Sequence, residues 1–101
     1  MKSEEEEGSL RSRLDQELRK AQSELAQSSV EATAGRGAVK ITMSGTQECL
    51  SVEIGDDILE SGDVRQLEGL VLLAVNQAIR DSQLMAARRL SPFSGDLDLK
   101  R

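Results

Sequence analysis

The spacing of apolar residues changes twice along this chain of 101 residues. Over residues 10–25 they recur every three or four positions, which is the period of an amphipathic helix. Over residues 30–54 they alternate with polar residues, as they do in half-buried strands. Helical spacing then returns and meets no proline before Pro92. The pattern predicts a helix at 10–28, strands at 30–34, 38–44 and 48–54, and a second helix at 64–90.

Two short turns, Gly35–Gly37 and Gly45–Gln47, separate the three predicted strands. Strands joined by such short turns form an antiparallel meander, whose apolar face must be covered by the flanking helices. We therefore expect an α+β fold of the order α-β-β-β-α. Asp63 and Gln66 have the spacing of a capping box at the start of the second helix. The segment 55–62 before it is expected to be a loop that carries at most a short turn.

Both ends of the chain differ in composition from the predicted domain at 10–90. Residues 4–7 are four glutamates followed by Gly8 and Ser9, which predicts a disordered acidic head at 1–9. Residues 91–101 lack a helical period, which predicts a mobile C-terminal tail. An acidic start is unlike a secretory or transit segment, and the single cysteine fits a reducing compartment. We expect a cytoplasmic location.

The chain contains few residue types that carry catalysis. It has no histidine, tryptophan or tyrosine, one phenylalanine and one cysteine. No nucleophile–base pair and no usual zinc ligand set can be assembled from this inventory. We therefore expect no enzyme activity, no cofactor or metal, and no small-molecule substrate. No run of about 18 apolar residues is available to cross a membrane.

The second helix predicts a partner. Few aromatic residues are available to bury, and residues 70–75 are apolar on all sides of the helix. A helix of about 26 residues would be about 39 Å long, which exceeds the roughly 33 Å diameter of a compact domain of this size. We expect a homodimer whose second helix overhangs the body beside the first. The predicted interface comprises Leu70, Val71, Leu73, Ala74, Val75 and Ala78.

Three segments are characteristic in their order and separation. They are Gly37-Ala38-Val39-Lys40-Ile41-Thr42-Met43-Ser44-Gly45, the strand end Val52-Glu53-Ile54, and Ala74-Val75-Asn76-Gln77-Ala78. Together they resemble the YbaB/EbfC family of bacterial nucleoid-associated DNA-binding proteins over roughly residues 10–97. The resemblance implies a homodimer with a joined central sheet and helical arms that form a tweezer-like body. It also implies a nucleoid location and binding to double-stranded DNA with little sequence preference.

The distribution of charge bears on DNA binding. The net charge of −5 opposes it, since nucleic-acid-binding domains are usually basic. However, the acidic excess lies in residues 1–9 and 48–68, and both predicted arm segments are mildly positive. Contacts of the arm tips with the phosphate backbone are therefore expected, with Arg11 and Arg13 near Arg88 and Arg89 if the helix ends meet. The candidate DNA-binding residues are Arg11, Arg13, Arg19, Lys20, Arg80, Arg88 and Arg89.

The same charge also favours an alternative. A protein–protein interaction module of this fold could use its acidic surface to bind a basic partner, with little or no DNA binding. In that case the arm arginines would serve solvation and local ion pairing.

Overall fold

A computed structural model describes residues 3–94 of the chain, with side chains from 9 to 92. The chain forms a helix, three antiparallel strands, a short helix and a long helix, so the predicted α-β-β-β-α order is confirmed. The molecule is elongated, with extents of 73 × 29 × 15 Å. The elements are α1 (Ser3–Gln27), β1 (Ser29–Ala34), β2 (Val39–Ser44), β3 (Cys49–Ile54), α2 (Asp56–Ser61) and α3 (Val64–Ser94).

Helix α1 begins seven residues before the predicted start. Residues 3–9, which we expected to be part of a disordered head, belong to the helix. Negative charge near a helix N-terminus is favourable, and glutamate is a good helix former. These effects outweigh the cost of about 1 kcal/mol expected for one glycine, Gly8. Residues 1–2 lie outside the described part of the chain.

The sheet has the order β1-β2-β3, and each strand starts and ends within one residue of its predicted bounds. Glycines at 35 and 37 and the intervening Arg36 all have positive φ in the first turn. A second non-glycine residue in this conformation, Gln47, lies in the second turn. A bulge between Thr42 and Met43 shifts the pairing of β2 with β3, so that Ile41 lies opposite Val52 and Met43 opposite Cys49.

The core lies between the sheet and the middle of α3. Alternate residues of β2, namely Val39, Ile41 and Met43, are buried on one face of the sheet. Ala74 and Ala78 of α3 lie one helical turn apart and are fully buried against this face. Because both are small, the helix can approach the sheet closely, and it packs across β1 and β2.

The connection between β3 and α3 is more regular than predicted. Residues 56–61 form helix α2, where we expected a loop with at most a short turn. Asp63 caps α3 by accepting a 3.0 Å hydrogen bond from the backbone N–H of Gln66, as the sequence predicts. The backbone N–H of Asp63 donates to the Ser61 hydroxyl at 3.2 Å, so Gln66 does not complete the reciprocal half of a capping box.

Helix α3 also continues beyond its predicted end at residue 90. Pro92 lies within its last turn, and residues 91–94 are helical instead of part of a mobile tail. Proline lacks the N–H that would bond to the carbonyl of Arg88, and the hydroxyl of Ser91 donates to that carbonyl at 3.2 Å. This substitution of one donor for another is compatible with one further turn. The rest of the predicted tail, residues 95–101, lies outside the described residues.

The two long helices leave the same end of the sheet and run antiparallel to each other. At this end the backbone N–H of Gly45 donates to the carbonyl of Leu25 in α1 at 2.9 Å. The buried hydroxyl of Ser82 in α3 donates to the carbonyl of Ser44 at 2.8 Å. We call α1 together with residues 82–94 of α3 the arm.

Candidate nucleic-acid interface

The seven basic residues predicted to contact DNA are all exposed, and all lie on the two long helices. Four are on α1, within a segment about 14 Å long, and three are on α3. None of the described carboxylates lies within ion-pairing distance of the four basic residues on α1 or of Arg88. The arm therefore presents five exposed basic side chains that form no ion pair with a described residue.

The basic residues of α1 do not form a single stripe. Arg13 and Lys20 are seven residues apart and lie on one flank, whereas Arg11 lies on the opposite flank. Glu17 and Glu24 alternate with Arg13 and Lys20 on their flank. The field on that flank is therefore mixed, and the other flank is mixed as well, because Asp15 lies four residues from both Arg11 and Arg19.

The expected approach of Arg11 and Arg13 to Arg88 and Arg89 does not occur within one chain. The Nη1 atom of Arg89 lies 2.7 Å from Oε1 of Glu24, near the C-terminal end of α1. Arg13 is eleven residues from Glu24, or about 16 Å along the helix. The expectation is wrong because the described part of α3 ends beside the middle of α1, and the first half of α1 extends past it.

Arg80, the third candidate DNA-binding residue on α3, is oriented by its neighbours on the helix. Arg80 donates a 2.9 Å hydrogen bond to the side-chain oxygen of Gln77. The amide nitrogen of Gln77 in turn donates to Asp81 at 2.8 Å. Arg80 is thus oriented by this chain of contacts and lies near a carboxylate.

A groove of about 640 Å³ runs between the edge strand β1 and the second half of α3. Its walls combine apolar side chains with charges of both signs, so it is not a uniformly basic channel. The sequence pattern did not indicate it, since it depends on where α3 crosses the sheet. The lining residues are Val30, Glu31, Asp81, Leu84, Met85, Arg88 and Arg89.

A cluster of acidic residues lies at the end of the sheet away from the arm. Helix α2 contains exposed Asp56, Asp57 and Glu60. It is attached where the backbone N–H of Gly55 donates to the carbonyl of Ala38 at 2.7 Å, beside the start of β2. The arm leaves the other end of β2, about 20 Å away for a strand of six residues. The acidic residues of α2 are therefore distant from the arm along the long axis of the molecule. The arm also carries acidic residues of its own, because Asp15, Glu17 and Glu24 lie among the basic residues of α1 and residues 4–7 belong to the same helix.

The predicted dimer-interface residues are divided between the core and the surface. Ala74 and Ala78 are fully buried within their own chain, so they have no surface left for a second copy. Three others pack partly against the core, and Leu73 is 61% exposed. The inference from an all-round apolar helix failed for the two alanines because the sheet already covers them. The three partly buried residues are Leu70, Val71 and Val75.

A different apolar surface lies along β3. Leu50, Val52 and Ile54 are 51%, 52% and 37% exposed, although the register places Val52 and Ile54 on the same face as buried β2 residues. Helix α3 packs mainly on β1 and β2 and leaves this part of the face open. Leu72, 62% exposed, lies about 120° around α3 from Leu84, which lines the groove beside β1. Leu72 also lies about 160° around the helix from buried Ala74, so it faces away from the sheet.

Two further properties concern the described residues only. Among them, no helix is both long and apolar enough to span a bilayer. No group of three or more acidic or cysteine side chains within residues 9–92 is arranged to hold a metal ion.

Comparison with known proteins identifies relatives along most of the chain. A nucleoid-associated protein of Thermoanaerobacter pseudethanolicus is 44% identical over 86 residues, which cover 85% of this chain and 78% of that protein. A nucleoid-associated protein of Chloroflexus aurantiacus is 38% identical over 84 residues, covering 83% and 84% of the two chains. The crystal structure of an uncharacterized protein from Helicobacter pylori shares the fold, with a TM-score of 0.68, 18% identity, and coverage of 89% and 90%.

Residues 10–97 match the YbaB/EbfC DNA-binding family as a whole. The matched region contains α1 from Leu10 onward, the complete sheet, α2 and α3, so it includes every element that positions the arm. This chain is a member of the YbaB/EbfC DNA-binding family.

Proposed function

We propose that this protein is a nucleoid-associated, non-catalytic protein that binds double-stranded DNA through its arms with little sequence preference and thereby compacts or modulates it. The observation that carries the proposal is a group of four exposed basic residues on the arm, distant from the acidic cluster of α2. Exposed Arg11, Arg13, Arg19 and Lys20 lie on the arm, and the acidic cluster of α2 lies beyond the opposite end of the sheet. A duplex held at these four residues therefore avoids the acidic cluster of α2, and the carboxylates nearest to it are those of Asp15, Glu17 and Glu24 on the same helix.

The contacts are proposed to be with phosphates. Arginine and lysine on an exposed helix can neutralise phosphates without reading bases, and such binding weakens steeply with salt. Family membership and the names of the relatives support DNA as the partner. In this proposal the protein acts on the nucleoid in the cytoplasm.

The proposed unit is a homodimer in which a second copy covers the apolar surface of Leu50, Val52 and Ile54. β3 is an edge strand, and an edge strand with exposed apolar side chains is a template for pairing with another strand. Pairing of two β3 edges would join the two sheets and bury these side chains. Each dimer would then carry two arms, which together can hold one duplex at two places.

The test is a titration of a random-sequence duplex, followed by fluorescence anisotropy at about 50 mM and about 200 mM salt. Arg13→Ala/Lys20→Ala should weaken binding at low salt and reduce the dependence of affinity on salt. Arg65→Ala is the matched control, because Arg65 is an exposed arginine in the first turn of α3, near α2. It should bind as the unmodified protein does. Equal losses for both variants, or no binding at about 50 mM salt, would refute the proposal.

The alternative, a protein–protein module with an acidic surface, is favoured by one observation. Arg89 is already paired with Glu24, and Arg88 shares its groove with Glu31 and Asp81, so this part of the arm is largely neutralised. The variant Arg88→Glu/Arg89→Glu separates the two functions. If the arms bind DNA, this variant should lose duplex binding while its oligomeric state stays unchanged. The protein–protein module predicts no such loss.

A further inference from the structure

The first half of α1 carries an apolar row without a partner in the described chain. Leu10 and Leu14 are 55% and 54% exposed, and Leu18 is half-buried. The same row continues into Ala21 and Leu25, which are buried where α3 packs on α1. The row is thus an extension of an existing helix–helix interface beyond the described end of α3 at residue 94.

The sequence of this segment is self-complementary when it is reversed. Residues 10–18 read Leu-Arg-Ser-Arg-Leu-Asp-Gln-Glu-Leu, with Leu14 at the centre. Reversal about Leu14 places leucine on leucine, each arginine on an acidic residue, and Ser12 on Gln16. An antiparallel pair of two copies of this segment therefore places apolar side chains against apolar side chains and opposite charges against each other.

The helix geometry also brings opposite charges together in three dimensions, although each arginine meets the other acidic residue of the segment. Viewed along the axis of α1, Arg11 and Asp15 lie about 60° and 100° from Leu14 on one flank. On the other flank Glu17 and Arg13 lie about 60° and 100° from Leu14. A two-fold axis beside Leu14 reverses the helix direction and brings each flank against the same flank of the second copy. Arg11 then meets the partner's Asp15, and Arg13 meets the partner's Glu17.

The charged residues of this segment are available for such contacts. Arg11, Arg13, Asp15 and Glu17 are exposed, and none of them forms an ion pair with another described residue. Within α1 each arginine precedes its acidic neighbour by four residues, which is the less favourable order for an intrahelical pair. An intermolecular pair therefore does not have to replace an existing one.

We propose that residues 10–18 of α1 form a homotypic antiparallel contact with the same segment of a second copy of this chain. The contact consists of Leu14 on the partner's Leu14, Leu10 on the partner's Leu18, and the two kinds of ion pair described above. Leucines spaced four residues apart form a row that packs on an identical row at a crossing angle of about −50°. The helices diverge on both sides of the contact, which leaves space for the end of α3.

This contact is distinct from the β3 surface and small, since each copy contributes three leucines. An interface well below about 1,000 Å² is weak by itself and gains strength when two arms of one dimer engage together. It also uses Arg11 and Arg13, which are proposed to contact phosphates.

A covalent trap tests the contact without DNA, so its outcome does not depend on whether the protein binds DNA. In a Cys49→Ser background, Leu14→Cys places a thiol on the proposed two-fold axis, and a short bis-maleimide should link two copies rapidly. Ser12→Cys is the matched control, because residue 12 lies about 160° around the helix from Leu14. It should cross-link several-fold more slowly.

Charge exchange then tests the pairing itself. Arg11→Glu/Arg13→Glu makes the segment acidic, and Asp15→Arg/Glu17→Arg makes it basic. Added to the Leu14→Cys chain, each should reduce cross-linking several-fold, and a mixture of the two should restore it with a product that contains one copy of each. Circular dichroism confirms that all variants are equally helical. The proposal is overturned if Leu14→Cys reacts no faster than Ser12→Cys, or if the mixture yields no excess of the mixed product.

Discussion

Arg89 near the end of α3 donates a 2.7 Å hydrogen bond to Glu24 near the end of α1, across 65 residues of sequence. The contact lies where the two long helices pack together, and it shows that one of the predicted DNA-binding arginines is already paired within the chain. Both side chains are close to half exposed, at 41% and 46%, so the pair contributes little to stability. Its main consequence is electrostatic, because the carboxylate competes with phosphate for the same guanidinium.

Glu24→Gln should therefore strengthen DNA binding. It removes a negative charge from the arm and releases Arg89, and we expect roughly a two- to fivefold increase in affinity at low salt. Fluorescence anisotropy with a random duplex measures this effect. Glu53→Gln is the matched control, since Glu53 faces Lys40 at 3.9 Å on the sheet, away from the arm. An equal gain for both variants would mean that only the net charge matters.

Gly45→Ala should destabilise the fold by roughly 1–3 kcal/mol. A Cβ atom at Gly45 would lie 2.7 Å from the carbonyl oxygen of Leu25, and this oxygen cannot move freely because it accepts hydrogen bonds from Ser28 and Gly45. Urea unfolding followed by circular dichroism gives the free energy of unfolding. Gly69→Ala is the control within α3, where nothing lies within 4 Å, and it should stabilise the protein by up to about 1 kcal/mol. Loss of stability in both variants would contradict this account.

A charge on the apolar surface of β3 should separate the homodimer. Val52→Glu and Leu50→Lys each place a charge in the proposed interface, and light scattering should then report a monomer of 11.0 kDa. Leu84→Lys is the control, because Leu84 is 50% exposed but lines the groove between β1 and α3. Dimers that persist in both β3 variants but are lost with Leu84→Lys would place the interface beside β1.

The strand positions could be predicted because alternation has a strict period of two. Each observed strand begins and ends within one residue of its expected bounds, and Asp63 caps α3 as its spacing with Gln66 indicates. The helix ends were harder to predict, because they depend on small and opposing local effects. Charge near the start of α1 outweighs Gly8, and the hydroxyl of Ser91 replaces the donor that Pro92 lacks.

The functional surfaces were predicted less well, because they depend on where elements lie relative to one another. Ala74 and Ala78 have the same apolar character as Leu73, yet the sheet buries the first two and leaves Leu73 exposed. Likewise, the helical period places Arg89 on the same helix as Arg88, but only the packing of α3 on α1 brings it to Glu24. The open face of β3 follows from the path of α3 across β1 and β2, which no local pattern encodes.

The central claim is that the arms hold the duplex and the acidic end does not. The most direct measurement is a titration of isotope-labelled protein with a short random duplex, with amide chemical shifts followed by NMR. The largest shifts should fall on residues 11–20 and 80–89, and residues 53–65 around α2 should change little. The opposite distribution, with shifts centred on α2 and β3 and an unaffected α1, would contradict the proposed function.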